Sequence, residues 1–223
     1  MKKLVPALFL LLTCDVVDRS QSDYLMWNTQ GTVWSFIVKQ GQFPGDTFYL
    51  RLVGTQDTSF APETADVCLD WEGRREYYAN KGDVIDLFVD FPVFPGGEVV
   101  PLEHRLIPFM HYPPVLHDSW QDTLRGKALY AQDTFDYTLS TEGRVDSLLE
   151  MEVPFGVVDN VYKITLEQRG SCDSLWWVNR KTLFLGPDLG IIKAIIGPDS
   201  LGVGDSSWVE DLLELELMDM TVP

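Results

Sequence analysis

Long runs rich in Ala, Leu, Glu and Lys are missing from this sequence, and with them the usual material of long helices. Cations are scarce: Lys and Arg total 17 against 34 Asp and Glu in 223 residues, a formal net charge of −17 at pH 7. A polyphosphate backbone attracts the opposite balance, so nucleic acid is excluded as a partner. Histidine and cysteine occur three times each. The short patterns that announce chemistry are missing too. There is no P-loop, Rossmann glycine set, H-E-x-x-H, G-x-S-x-G, D-x-D-x-D-G calcium loop or paired C-x-x-C. No catalytic residue and no cofactor is therefore assigned, and the function expected is non-enzymatic.

What the chain has in abundance is turn formers and aromatics: 17 Gly, 13 Pro, 7 Trp, 8 Tyr and 12 Phe, within 45% hydrophobic residues. That is enough apolar material to bury a core, and of the β-forming kind. Short apolar-aromatic runs recur between turn residues, as at 33–38 (VWSFIV), 47–53 (TFYLRLV), 133–140 (DTFDYTLS), 145–153 and 157–166 (VVDNVYKITL). Residues 207–217 open with a capping-box pair, Ser207 and Glu210, yet 213–217 (LELEL) alternates strictly and reads as a strand. Between 91 and 114 eight Pro and Gly residues interrupt the series, which marks a long connection or a set of edge segments. The fold expected is all-β: a single curved antiparallel sheet, as a half-barrel or flattened sandwich, over residues 24–223.

The N-terminus carries Lys2 and Lys3 and then an apolar stretch, 4–12 (LVPALFLLL), too short to span a bilayer and of the length of a signal-peptide core. Leu11-Leu12-Thr13-Cys14 resembles the lipobox of bacterial lipoproteins. The resemblance implies a signal over 1–13, a lipid on Cys14, a polar tether over 14–23 and a place in the bacterial envelope, anchored to a membrane and facing the periplasm or the exterior. Thr13 departs from the usual small residue before the Cys, and a secretory signal cut near Ser20 or Ser22 is the alternative. Cys68 and Cys172 remain, either as one disulfide in an oxidising compartment or as two buried thiols.

Two stretches resemble a signature of exported bacterial β-proteins that have no agreed activity. Residues 153–164 (VPFGVVDNVYKI) are similar to the "VPAGTF.NVYKI" strand of that group. Residues 185–193 (LGPDLGIIK), after Trp176, are similar to its "W.APGVGLVK" hairpin, and His117-Asp118-Ser119-Trp120 to its "VGDSW" strand start. The resemblance implies export and a curved sheet or half-barrel, similar in outline to lipoprotein carriers. It brings no catalytic residue.

Candidate binding residues come from the aromatics. Neighbours on a strand face opposite sides, so one of Trp176 and Trp177, and one of Tyr77 and Tyr78, must leave the core. Such a ring either lines a concavity, where it can hold an apolar ligand, or packs across strands. His104, His111 and His117 are weak metal candidates, because spacings of seven and six place no two imidazoles on one face of a helix or strand. Gly204-Asp205-Ser206 and Pro198-Asp199-Ser200-Leu201 resemble fragments of the GDSL hydrolase block. No His follows either one to act as base, so both read as turns. The expectation is a membrane-tethered protein that binds an apolar or amphipathic ligand or an envelope protein, with a structural role in envelope assembly as the alternative.

Overall fold

Alternation explains the strands. In β1 (Val33–Gln40) Trp34, Phe36 and Val38 are buried while their neighbours are not, and in β2 (Thr47–Gly54) Leu50 and Leu52 are. A pleated strand sends successive side chains to opposite faces, so each buries one apolar face. The computed structural model describes residues 30–54, 65, 67–71, 74–89, 91–94, 97–103 and 105–223. Among them there is no helix.

The further strands are β3 (Val67–Trp71), β4 (Arg74–Asn80), β5 (Val84–Phe88), the short β6 (Val93–Phe94), β7 (Gly97–Glu98) and β8 (Val100–Pro101), and β9 (Leu106–His111). The long C-terminal meander follows with β10 (Ser119–Tyr130), β11 (Asp133–Val153), β12 (Gly156–Cys172), β13 (Leu175–Gly186) and β14 (Gly190–Ile196). Last come β15 (Ser200–Val203), β16 (Ser206–Val209) and β17 (Leu213–Thr221). Asp133–Val153 is one strand of 21 residues, where the sequence suggested two. The alternation in β17 prevails over the cap signal at Ser207.

Apart from the β6–β7 pair, the strands form one antiparallel sheet in the order β8-β10-β11-β12-β13-β14-β17-β1-β2-β3-β4-β5-β9, with β15 and β16 added beside β13. The first strand lies against the last, Val33 opposite Thr221, in the middle of the sheet. Pro101 and Pro108 sit on the two outer strands, where a missing N–H costs no ladder bond.

That order forces a curl. Laid flat, thirteen strands at about 4.8 Å spacing would put β8 and β9 nearly 60 Å apart. The two are joined by residues 102–105 alone, which reach less than about 20 Å when fully extended. The sheet therefore rolls up until its edges approach, and it stops short of pairing them. The architecture is the curved antiparallel sheet expected from the sequence. Its concave side encloses two apolar clusters. The larger is built around Trp34, Phe36, Leu50, Ile164, Leu183 and Leu215. The other is built around Phe91, Phe94, Ile107, Leu139 and Trp177.

Four inward or outward rings lie flat across a glycine of the neighbouring strand. Trp120 pairs with Gly143, Tyr137 with Gly126, Trp177 with Gly170 and Trp176 with Gly202. A Cβ on Gly170 would stand 2.0 Å from the Trp177 indole, and one on Gly143 2.2 Å from that of Trp120. The bare backbone is what lets these rings lie down, and the rings in turn shield backbone that glycine leaves open.

Candidate functional site

The register of β11, β12 and β13 lines up their inward residues in rows. Leu139, Gly170 and Trp177 form one row, and Val145, Ile164 and Leu183 another. Both are apolar and belong to the two clusters. Between them run Thr141–Gln168–Asn179 and Gly143–Leu166–Lys181. Three adjacent strands thus place a polar residue at the same inward level, and the core divides there.

At this level the interior is open. A cavity of about 510 Å³ lies between the row and the opposite wall of the curl. Its apolar lining includes Phe48, Trp71, Leu87, Phe109, Leu166 and Leu213, and its polar lining Thr141, Gln168 and Asn179. A second void, between Trp34, Leu50, Leu69 and Ile191 in the larger cluster, has about 10 Å³, at the lower limit for a single water. Thr141 is 1% exposed, and its hydroxyl is buried without a hydrogen-bond partner. A buried polar atom in that state costs free energy unless something supplies the missing partner.

One ion pair crosses the interior. Lys181 Nζ on β13 donates to Glu76 Oε1 on β4 at 2.8 Å, and both side chains are largely buried. Trp71 Nε1 at 2.9 Å and the Tyr78 hydroxyl at 2.6 Å donate to Glu76 Oε2. The ammonium also stands 5.2 Å from the centre of the Trp71 ring. Arg180 and Arg75, more exposed, border the cavity and face carboxylates: Arg180 Nε lies 2.9 Å from Glu167, and Arg75 Nε 3.8 Å from Asp70. Burial pushes the Glu167 carboxyl up, but hydrogen bonds from Arg169 and Arg180 outweigh it and hold it below the usual carboxylate range. Asp199, which also borders the cavity, accepts from the Arg180 backbone N–H at 2.7 Å, and the buried cation, Lys181, is matched in place.

Of the residues singled out in the sequence, Tyr77 borders the cavity. Tyr78 is buried, donates to Glu76 and meets the Phe109 ring edge-on at 5.0 Å. Trp177 is packed inside the smaller cluster, 5.1 Å from Phe91, and Trp176 covers Gly202. Neither indole lines the cavity. His111 Nδ1 lies 2.7 Å from Asp118 Oδ2 and its ring 5.3 Å from that of Trp120, while His117 is exposed. His104 and Cys14 fall outside the described residues. Among the described residues no group of three or more His, Cys, Asp or Glu is placed to hold a metal ion.

A Cys68–Cys172 disulfide is not formed. Both are free thiols, buried at different places: Cys68 on β3 and Cys172 on β12, within the smaller cluster. Burial pushes both thiols up from their ordinary pKa. Each fills a core position as a small apolar side chain, the second of the two roles open to them from the sequence.

Glu76, Lys181, Thr141, Gln168 and Asn179 escaped the sequence reading. Their signal is a polar residue in the inward phase of an alternating strand, and it becomes visible only when the register of three strands is known.

No protein-family model matches the chain, and no curated protein matches it. Two solved structures are similar to it in outline. One, described as a candidate lipoprotein from Parabacteroides distasonis ATCC 8503, has 10% identity and a TM-score of 0.47, covering 90% of this chain and 99% of its own. The other, a candidate exported protein with a YmcC-like fold from Bacteroides fragilis NCTC 9343, has 11% identity and a TM-score of 0.40, covering 86% and 96%.

Proposed function

We propose that the chain is an exported, membrane-tethered binding protein that holds an amphipathic ligand inside its curled sheet and carries out no chemistry on it. The observation that carries this reading is the cavity. At about 510 Å³ it falls in the size range of small-molecule sites, and it has the composition of one, mostly apolar walls with a few polar groups at fixed places. Export and the tether rest on the N-terminal sequence, on the apolar stretch before Cys14 and the polar residues after it.

The test is mass spectrometry of the exported Cys14→Ser chain, native and then denatured. An added mass that disappears on denaturation is the expected result. A clean apo mass, together with no binding of an uncharged apolar dye, would sink the proposal. The denatured mass also checks the thiols: no two-hydrogen deficit is expected for Cys68 and Cys172.

An assembly role, in which the protein docks another envelope component, has one observation in its favour. The β11–β12 hairpin tip presents Phe155 at 41% and Val157 at 65% exposure. A Val157→Asp change that abolished function while leaving cavity binding intact would favour it over the carrier reading.

A further inference from the structure

The proposal that the cavity holds an amphiphile leaves open what its polar end is. Three features of the cavity bear on that. First, Thr141, Gln168 and Asn179 form an unbroken cross-strand row of uncharged hydrogen-bonding side chains on the cavity wall. They occupy the inward phase that Leu139 and Val145 hold above and below on β11, and Trp177 and Leu183 on β13. Second, Gln168 and Asn179 are half-buried where they line the cavity, so their amides are within reach of an occupant, whereas the Thr141 hydroxyl is fully buried. Third, the buried cation of the cavity, Lys181, already faces Glu76, while Arg180 and Arg75 at its border face Glu167 and Asp70, and the bordering Asp199 carboxylate accepts from the Arg180 backbone N–H.

A charged head would have to displace one of these partners, or else be buried beside matched pairs with no counter-ion of its own, which is costly in a low-dielectric interior. An anionic head would also approach against the formal net charge of −17. An uncharged head with hydroxyl, ester or amide groups has neither penalty and completes the polar row. Phe48, Leu87 and Phe109 on the opposite wall suit an apolar body.

We propose that the ligand is an uncharged amphiphile, of the monoacylglycerol type in chemistry, with its hydrogen-bonding head on the Thr141–Gln168–Asn179 row and its apolar chain against Phe48, Leu87 and Phe109. This rests on the reading of the cavity as a ligand site. The test must therefore separate a wrong head from a wrong site.

The experiment uses the purified full chain and the uncharged dye N-phenyl-1-naphthylamine, displaced by three amphiphiles of equal chain length: monodecanoylglycerol, decanoate and decyltrimethylammonium. The dye should bind, and Leu87→Trp, which projects an indole from the wall into the cavity, should weaken its binding about tenfold or more. The glyceride should displace it at a concentration about tenfold or more below either charged competitor, the difference one or two hydrogen bonds make. In the double variant Gln168→Leu, Asn179→Leu the dye should still bind and the glyceride lose that advantage. Gln168→Glu keeps the size of the side chain and adds a negative charge, so it should shift preference toward the ammonium and serves as the check if the double variant fails to fold. Equal or better displacement by decanoate or decyltrimethylammonium from the unaltered chain overturns the uncharged head and leaves the site standing. A glyceride preference that survives both the double variant and Gln168→Glu overturns the polar row as its seat. No dye binding to the unaltered chain, or binding unaffected by Leu87→Trp, overturns the site itself.

Discussion

A glycine within a strand is a cost in backbone entropy, and this chain recovers part of it by laying an aromatic ring on the bare backbone. Trp177 is 1% exposed and wedged between Gly170 and the rings of Phe91 and Phe94, so it has nowhere to move when a methyl group arrives 2.0 Å away. Gly170→Ala is expected to lower stability by about 1–3 kcal/mol in urea denaturation, as overpacking does. Gly202→Ala presents the same clash, 2.2 Å, to Trp176, which is half-buried and can swing outward, so its loss should be smaller. Equal losses at the two sites would mean that the glycines matter for backbone conformation and not for the rings. The sequence shows that Trp176 and Trp177 must part to opposite faces. It does not show that each has a glycine waiting, because that depends on which residue of the next strand stands opposite. The two indoles are thus fold residues on both faces of the sheet, and the cavity lies beyond them.

Strands far apart in sequence are joined at β14, β17 and β1, and there Lys193 holds the junction. Its ammonium donates to Glu214 and Glu216 on β17, and Lys39 on β1 lies 3.4 Å from Glu216. Burial pushes the Glu216 carboxyl up, but the Lys193 hydrogen bond and the charges of Lys193 and Lys39 outweigh it and hold it below the usual carboxylate range. A depressed folded pKa stabilises the protein above the ordinary carboxylate pKa of about 4.3, and that stabilisation fades as pH falls through the folded value. The same holds for Asp146: burial raises its pKa, but the Thr165 hydroxyl, Arg144 and Lys163 outweigh that and lower it. Lys193→Met should therefore cost about 1–3 kcal/mol at pH 7, because two largely buried carboxylates lose the ammonium they share and Glu216 keeps only the more exposed Lys39 as an ion-pair partner. The deficit should shrink as the solution is acidified and Glu216 protonates. Urea midpoints at pH 7 and in acid check this, and a deficit constant with pH would assign the effect to packing alone. The alternation of β17 and the breaks around prolines were legible because each is a local pattern. The single strand β11 was not, since Gly143 and the charges of Glu142 and Arg144 at its middle look like a turn until a 17-residue partner, β12, is found beside it.

At the scale of the whole molecule, the fold class could be read from the chain. The site could not. It depends on β4 meeting β13 across the interior, and these strands are six places apart in the sheet, about 29 Å if it were flat. Only the curl brings Glu76 to Lys181, 105 positions along the chain, and the curl follows from the short link between β8 and β9, which no residue pattern announces. The Glu76–Lys181 pair is thus a strut between the two walls, at the edge of the cavity that lies between them. Lys181→Met removes the ammonium and leaves the Glu76 carboxylate largely buried beside the Trp71 and Tyr78 donors. A loss of about 2–3 kcal/mol is expected, below the full cost for a completely buried pair because both side chains keep some exposure. Lys181→Met combined with Glu76→Leu should recover most of it, since two apolar side chains of similar volume need no strut of opposite charges. If the double variant instead stayed as unstable as the single one, the walls would be held apart by the geometry of the charged pair itself. Binding of the apolar dye would then fall with stability in both variants, whereas a recovered double variant should bind it at least as well as the unaltered chain.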